Sequence, residues 1–410
     1  MSLKFSWDWQ GAPEVRSAEL AATWANLKIE IDDIVATLVE ERDQSHGVRK
    51  SIDVSTYPLA EWLAINWWVL NAPAHRPEHR GVKFVEAGSG FPWPDITLQS
   101  DRSLMWADIR QRDKDPEFIR FLTQGHTILD AEEGIGEVAR FIDLTVRKLE
   151  ESGISGTLLQ QEWTAIQLAD REERDFCTVA AAWGFDPYDM PDRATEKLIG
   201  AEQVISDPWL LADLARAVDL DAVAGAAEWL LDASHHVTDH ASEIPAVQAV
   251  FPVESRGIAP WREGYRRARY VRDLLGLAPT ERAPIEALVG VSTVSSDPPR
   301  SIDGLVTVSD TSAGLVLGPH VGEEVRRFRS ARALARRTTE SRMGLSLLTR
   351  ASRYSDRVER AFAAEFLAPA AGLDAVLGGD YSDDAVQDAA RTFGVSQRLI
   401  EHQIDNQLVA

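Results

Sequence analysis

The sequence predicts a multidomain α+β protein. Its 410 residues exceed what one hydrophobic core usually organises, and its 44% hydrophobic and 26% charged content is that of a globular chain. Eight of the 13 Trp precede residue 110, whereas the middle of the chain has helical periodicity. We therefore expect a small Trp-rich α/β domain over residues 1–112 and a helical domain over 113–257. The motifs near the C-terminus predict a further α+β domain over 258–410.

Strand and helix patterns alternate in the first region. Alternation in Leu27–Ile31 and β-branched residues in 34–39 predict two strands. Residues 59–70, LAEWLAINWWVL, follow Pro58 and are apolar nearly all round, which predicts a buried helix. Residues 103–107 predict another strand. The tryptophans indicate an aromatic core, and an aromatic ligand pocket is the alternative.

Helices are predicted throughout the middle region. Asp130 can cap a helix with one apolar stripe, and Ser155 or Thr157 can begin the next segment. Two further helices fit 206–218 and 220–233. We expect a helical bundle that docks other proteins or a second copy, because no basic recognition helix of a DNA-binding motif is present.

Charge divides the chain. Residues 1–260 hold 23 Lys and Arg against 45 Asp and Glu, whereas residues 261–410 hold 20 of each. The acidic N-terminal part should therefore repel nucleic-acid phosphates, and it either attracts a basic partner or serves solubility. The sequence has no apolar run of ~20 residues and no signal-peptide core, so we expect a cytoplasmic protein without a membrane contact. Cys177, the single cysteine, is predicted to be a buried core thiol.

Three segments near the C-terminus match a known order of motifs. Residues 326–337 have the sequence RRFRSARALARR, residues 362–369 have FAAEFLAP, and residues 389–399 have AARTFGVSQRL. In order and spacing they resemble the ImmA/IrrE family of metallopeptidases, whose catalytic helix has the form F-x-x-A-H-E-x-G-H and is followed by E-x-A-N-x-F-A-A-E-L-L-M-P. The resemblance extends over about residues 258–410.

Upstream segments extend this resemblance. Residues 265–286 look like the family's opening helix and its Pro-Ile step. Segments 301–305 and 314–318 look like the strands before the catalytic helix. The resemblance implies a zincin-like α+β domain at the C-terminus.

The positions that would carry catalysis have changed. The chemistry needs two His one helical turn apart for zinc and an adjacent Glu as general base. These positions are occupied by Arg332, Ala333 and Arg336, and the usual third-ligand position by Val358. Guanidinium groups stay protonated and cannot ligate a metal. We therefore expect no zinc at this helix and no cofactor.

Arginine at two positions four apart suggests what replaces the metal. Arg332 and Arg336 project from one helix face. Glu359 and Glu365 are the candidate carboxylates for an ion-pair network in the former metal cavity. One alternative is a solvated arginine-rich surface. The other is an anion or phosphate site formed by the arginine cluster, which consists of Arg326, Arg327, Arg329, Arg332, Arg336 and Arg337.

A histidine cluster elsewhere in the chain is an alternative candidate for a metal site. His236 and His240 are four apart in the cluster with His235, which suits zinc, but Val237 stands where a catalytic Glu would be. A solvated helix end without metal is the simpler interpretation. His320 and His402 form another candidate pair without supporting spacing.

Proteins of the resembled family cleave, or trigger the inactivation of, helix-turn-helix repressors in mobile-element and DNA-damage control. The resemblance therefore implies a regulatory or sensing pseudopeptidase that binds a protein partner, such as a repressor or a phage-defence component. One alternative is an active zinc endopeptidase with an unrecognised metal site. Another is a structural subunit of a defence or phage-related complex, and a homo-oligomer fits either a regulatory or a structural role.

Overall fold

The computed structural model describes residues 2–12, 14–42, 47–72, 81–101, 104–112, 118–237, 259–309, 312–339, 344–351 and 354–409. These residues form a mixed α+β structure, as predicted, and the separate architecture predicted for each domain stays a prediction. Contacts divide the chain into two compact units, Met1–Pro191 and Asp192–Ala410. The predicted boundaries border or lie within segments outside the described residues, 113–117 and 238–258, and the three-domain division stays a prediction.

The first unit is built on antiparallel sheets. Its described strands are β1 (Leu3–Trp9), β2 (Trp24–Ile31), β3 (Ile34–Val35), β4 (Val39–Glu41), β5 (Val48–Arg49), β6 (Ile52–Ser55), β7 (Val82–Lys83), β8 (Asp95–Asp101), β9 (Leu104–Arg110), β10 (Ile119–Phe121) and β11 (Gly125–Asp130). They form one sheet of order β1-β2-β3, in which β6 also pairs with β2, and two more of order β10-β4-β5 and β11-β9-β8-β7. Burial alternates along β2, as expected for a strand with one face on a core.

Helices complete the first unit. They are α1 (Ala18–Ala22), α2 (Tyr57–Ile65), α3 (Trp67–Asn71), α4 (Ala131–Glu151), α5 (Leu158–Leu168) and α6 (Arg171–Ala182). Asp130 caps α4 by accepting from the Glu133 N–H at 3.0 Å, as predicted, and Thr157 begins α5 with a capping box. Cys177 is buried, and burial raises the pKa of its thiol to about 11, which suits a core thiol.

Three predictions for this unit are wrong. The single helix predicted over residues 59–70 is two helices, since α2 ends at Ile65 and α3 begins at Trp67. The middle region is not helical throughout, because residues 119–121 and 125–130 are strands that pair with β4 and β9. Residues 34–39 are two short strands and not one. The chain turns between them at buried Thr37, whose hydroxyl accepts from the Ile29 N–H at 3.0 Å and donates to the Lys50 carbonyl at 2.8 Å.

The second unit places helices around one mixed sheet. Its described strands are β12 (Gly290–Thr293), β13 (Ile302–Val308), β14 (Ala313–Leu317) and β15 (Gly344–Thr349), in the order β12-β14-β13-β15. Strand β12 is parallel to β14, and the other pairs are antiparallel. Every residue of β14 is buried, as expected for a strand covered on both faces.

The helices of this unit include those that the motifs predict. They are α7 (Asp192–Val204), α8 (Pro208–Ala215), α9 (Val223–His235), α10 (Pro260–Leu274), α11 (Ile285–Leu288), α12 (Glu323–Thr339), α13 (Tyr354–Leu367), α14 (Ala370–Leu377), α15 (Asp383–Phe393) and α16 (Gln397–Gln403). Helices α9 and α12 both contact β13 and β14. Within the described residues, no helix combines the length and apolar character needed to cross a bilayer.

Helices α10 and α13 cross at a glycine. A Cβ atom at Gly264 would lie 2.5 Å from the Val358 carbonyl oxygen and 2.7 Å from the Phe362 amide nitrogen. The absence of a side chain therefore lets the two helix backbones approach closely. Helix α13 also packs against α12, so it lies between the two other helices.

Candidate functional site

Helix α12 places Arg332 and Arg336, which occupy the two predicted ligand positions, in the protein interior. Two acidic residues lie in its first turn and Arg336 and Arg337 in its last, an arrangement that the helix dipole favours. Arg332 is 1% exposed and Arg336 is 3% exposed. The alternative of a solvated arginine surface is therefore wrong for both residues.

Glu359 of α13 joins the two arginines. Its Oε1 accepts from Nε of Arg336 at 2.9 Å, and its Oε2 accepts from Nη2 of Arg332 at 3.3 Å. Glu359 is itself 3% exposed. One carboxylate thus neutralises charge from two consecutive turns of α12, in surroundings with little solvent screening.

Asp303 of β13 extends the network toward the sheet. Its Oδ2 accepts from Nη1 of Arg332 at 2.9 Å, and its Oδ1 accepts from Nη2 of Arg329 at 2.8 Å. Arg332 also donates to the Thr349 carbonyl of β15 at 3.0 Å. The Arg332 side chain therefore ties α12 to two neighbouring strands as well as to α13, although its Nε has no hydrogen-bond partner among the described atoms.

Asp356 is a third carboxylate buried beside Arg332. Its Oδ1 lies 3.9 Å from Nη2 of Arg332, and the residue is 1% exposed. Burial and the neighbouring Glu359 carboxylate raise the pKa of Asp356, while the charges of Arg216, Arg336 and Arg332 oppose that rise. Arg216 follows α8, so the helical segment before α10 contributes to the electrostatics of the site.

We call these residues the arginine–carboxylate network. It contains three guanidinium groups and three carboxylates, contributed by Arg329, Arg332, Arg336, Asp303, Asp356 and Glu359. Each of these buried charges has an opposite charge beside it, as buried charges generally must. Arg350, which is largely exposed, adds a further guanidinium group 3.4 Å from Oδ1 of Asp303. The network can hold four elements in a fixed arrangement, but its arginines can neither ligate a metal nor exchange protons at neutral pH.

The other two predicted positions hold buried apolar residues. Ala333 is fully buried, and Val358 is 2% exposed at the crossing of α10 and α13. Position 333 therefore offers no general base beside Arg332, and position 358 offers no carboxylate. Within the described residues, no group of three or more His, Cys, Asp or Glu is arranged to hold a metal ion.

The prediction that Glu365 pairs with Arg332 and Arg336 is wrong, because its carboxylate contacts other residues. Its Oε1 accepts from Nε of Arg269 at 2.6 Å, and its Oε2 accepts from the side-chain amides of Gln403 and Gln407 at 3.1 and 2.8 Å. Its spacing from Glu359 puts the two carboxylates on different faces of α13. Glu365 therefore fastens α13 to α10 and to the C-terminal segment of the chain.

The arginine cluster does not form the predicted anion site. Arg326 is exposed, whereas Arg327 is buried and donates to the Glu286 carboxylate and to the Ala283 carbonyl, the latter at 2.9 Å. Arg329 and Arg332 share Asp303. Arg327, Arg329 and Arg332 are therefore engaged by carboxylates of the protein itself and do not converge on one exposed surface.

The histidine alternatives are only partly within the described residues. His236 follows the end of α9, and its Nδ1 lies 2.9 Å from the Asp232 carbonyl oxygen. His240 lies outside the described residues. His320 and His402 are both exposed, and His402 contacts Asn406.

No protein-family model matches the chain, and no curated protein matches it significantly. The likeness to the ImmA/IrrE family therefore stays a prediction from the motifs.

Sequence reasoning misses three members of the site. Asp303 contacts Arg332, and the charge of Arg216 acts on Asp356. Both residues come from elements far away in the sequence, and no local pattern marks them. Asp356 does carry a signal, because it lies three residues before Glu359 and such a spacing places both carboxylates on one helix face.

Proposed function

We propose that the second unit is a non-catalytic pseudopeptidase that serves regulation or sensing by binding a protein partner. The observation that carries this proposal is the contact of Glu359 with both Arg332 and Arg336. By the motif correspondence, these arginines take the positions where the resembled family has its two zinc-binding histidines. An ion-pair network then takes over the structural task of a metal, which is to hold helices and sheet together.

The exposed face of α10 is our candidate docking surface. A surface groove of about 470 Å³ is lined by Arg262, Tyr265, Arg266, Arg269, Tyr270 and Asp273. Arginine and tyrosine are residue types that often dominate protein interfaces, since they combine large contact area with directed hydrogen bonds. Arg266 pairs with Glu263 and Arg269 with Glu365, so the exposed Arg262 is the candidate contact for an acidic residue of a partner segment.

The resemblance suggests the class of partner. A helix-turn-helix repressor or a component of a phage-defence or mobile-element system would fit a regulatory role in the cytoplasm. This identity rests on the motifs, whereas the groove on α10 supports only a protein partner with acidic groups.

Metal content of the purified, untagged protein is the first test. We expect zinc below about 0.1 per chain by elemental mass spectrometry, because no ligand set remains at α12. A content near one zinc per chain would overturn the proposal and favour the active endopeptidase, with ligands among the histidines discussed above.

A designed gain of zinc binding tests the correspondence of positions. Arg332→His with Arg336→His places two imidazoles where the arginines now meet Glu359. We expect about one bound zinc, lost when Glu359→Gln is added and kept when Glu365→Gln is added. No bound zinc in the variant with both histidines would show that the correspondence is wrong, and zinc binding that is unaffected by Glu359→Gln would show that Glu359 is not a ligand.

Partner binding is tested on the α10 face. Arg262→Glu reverses one exposed charge of the groove, and Arg357→Glu is the matched control at an exposed site on α13. We expect recovery of the partner from nuclease-treated lysate to fall about tenfold with Arg262→Glu only. Equal recovery with both variants would exclude this face, and a stable oligomer without any partner would favour the assembly-subunit alternative.

A further inference from the structure

Strand β1 lies at an open edge of its sheet. Among the described strands it pairs with β2 alone, from Leu3 opposite Ile31 to Trp9 opposite Ala25. A surface groove of about 560 Å³ follows it, lined by residues 2–7 together with Glu137 and Arg140 of α4. An open edge offers unpaired backbone groups to any strand that approaches.

Glu137 and Arg140 occupy part of this edge. Oε1 of Glu137 accepts from the Phe5 N–H at 2.7 Å, and Nη2 of Arg140 donates to the Phe5 carbonyl at 2.6 Å. The two side chains also form an ion pair with each other at 2.6 Å. We call this pair the edge clasp, because it satisfies both backbone groups of one residue on the open side of β1.

The clasp also shows which backbone groups point outward. Backbone groups alternate between the two sides of a strand, so Leu3, Trp7 and Trp9 share the outward direction of Phe5. Trp9 is 36% exposed, and the Lys148 ammonium lies 5.5 Å from its ring centroid. The clasp bonds Phe5 alone, so it covers only part of the edge.

We propose that β1 docks against β1 of a second copy of this chain, in antiparallel register about Ser6, and that the edge clasp limits this association. In this register Phe5 lies opposite Trp7 of the second copy, and Leu3 lies opposite Trp9. All of these residues have outward backbone groups, so the hydrogen-bonding pattern is complete once Glu137 and Arg140 release Phe5. This inference concerns the first unit and does not depend on the proposed function of the second.

Charge complementarity selects the occupant and the register. Lys4 and Asp8 are exposed, and only a register centred on Ser6 places Lys4 of each copy opposite Asp8 of the other. A register centred on Phe5 or Trp7 places Lys4 opposite Ser6 or Gln10. Opposite charges facing each other across strands stabilise pairing, whereas like charges oppose it.

Analytical ultracentrifugation of the full chain measures the balance of monomer and dimer. Glu137→Ala with Arg140→Ala removes the clasp, and we expect the dimer Kd to fall about tenfold relative to the unchanged protein. In that background Lys4→Asp or Asp8→Lys should raise the Kd about tenfold. The charge swap that combines Lys4→Asp with Asp8→Lys should restore it.

A disulfide test fixes the register separately. Ser6→Cys would place two thiols opposite each other at the symmetry axis, in a non-hydrogen-bonded pair with Cα atoms roughly 4.5 Å apart, which suits a disulfide. Ser2→Cys is the control, since Ser2 does not face itself in this register. Cys177 is buried and does not compete.

Three results would overturn the proposal. One is a monomer at every concentration in the clasp variant, with circular dichroism showing an intact fold. Another is a dimer whose Kd does not respond to the charge reversals. The third is equal cross-linking through Ser6→Cys and Ser2→Cys.

Discussion

Arg332 and Arg336 are held in the protein interior by more than charge balance. Each guanidinium contacts Glu359, and Arg332 also uses Asp303 and a main-chain carbonyl. Burying an ion pair gains little net stability, because desolvation offsets the attraction, but removing one partner leaves a charge without compensation. The arginine–carboxylate network should therefore be intolerant of single substitutions.

Glu359→Ala is the sharpest single test of that network. It leaves two buried guanidinium groups without their shared acceptor, so we expect the free energy of unfolding to fall by about 3–5 kcal/mol. Glu324→Ala, at an exposed site on α12, is the control and should change it by less than about 0.5 kcal/mol. Chemical denaturation measures both, and equal losses would mean that the network adds no specific stability.

Asp356 should give stability an unusual dependence on pH. Its folded pKa is raised above the ordinary value of 3.8, so the folded state holds this proton more tightly than the unfolded state. Its contribution to stability is therefore present below pH 3.8 and is lost as pH rises through the folded pKa. Arg216, Arg332, Arg336 and Glu359 face this carboxyl and set the width of that window.

Comparison with Asp356→Asn isolates this effect from other carboxylates. We expect the wild-type melting temperature, relative to that of Asp356→Asn, to fall as pH rises from about 4 toward neutrality. Asp374→Asn at an exposed site of α14 is the matched control for the substitution itself. If the difference in melting temperature between wild type and Asp356→Asn stays constant with pH, the pKa of Asp356 is not raised.

Residue-level reasoning from sequence succeeds only where a local spacing carries the information. The spacing of Arg332 and Arg336 predicts a shared face that needs a carboxylate, and Glu359 meets both. Glu365 is an equal candidate in the sequence, but the partner that a helix residue finds depends on packing. Asp303 lies on a strand whose neighbours are set by the tertiary fold, so no local signal names it.

At the scale of elements, long periodic segments are predictable and short strands are not. The stripe and cap of α4 are local features, and the structure has both. Strand β10 has three residues, and its partner β4 lies about eighty residues earlier in the chain. A strand of this length is decided by its partner and not by its own periodicity.

The crossing of α10 and α13 makes a prediction at this scale. Gly264→Ala would force a Cβ atom to within 2.5 Å of a carbonyl oxygen, so the helices must separate. We expect a loss of about 1–3 kcal/mol in the free energy of unfolding. Gly225→Ala in α9 is the matched control, because a Cβ there meets nothing within 4 Å, and we expect it to stabilise by about 0.5–1 kcal/mol. Equal effects of both substitutions would show that the close crossing is not limiting.

At the scale of the whole molecule, the helices before α10 belong with the sheet of the second unit. Ser301 donates to the Ala217 carbonyl, and Nε1 of Trp229 donates to the Ser296 carbonyl at 3.2 Å. Arg216 adds its charge near Asp356. The sequence places a boundary near residue 257 because the motif resemblance begins there, and contacts of this kind leave no periodic signal.

Two fragments test where the second unit begins. We expect residues 192–410 to unfold cooperatively, because that segment keeps α8, α9 and the charge of Arg216. Residues 259–410 lose these contacts and expose the surface of β13 and β14 that α9 covers, so their melting temperature should be lower by at least about 5 °C. Thermal denaturation followed by circular dichroism measures both fragments under the same conditions. Equal melting temperatures would show that residues 259–410 form a domain by themselves, as the sequence predicts, and that α7 to α9 do not stabilise it.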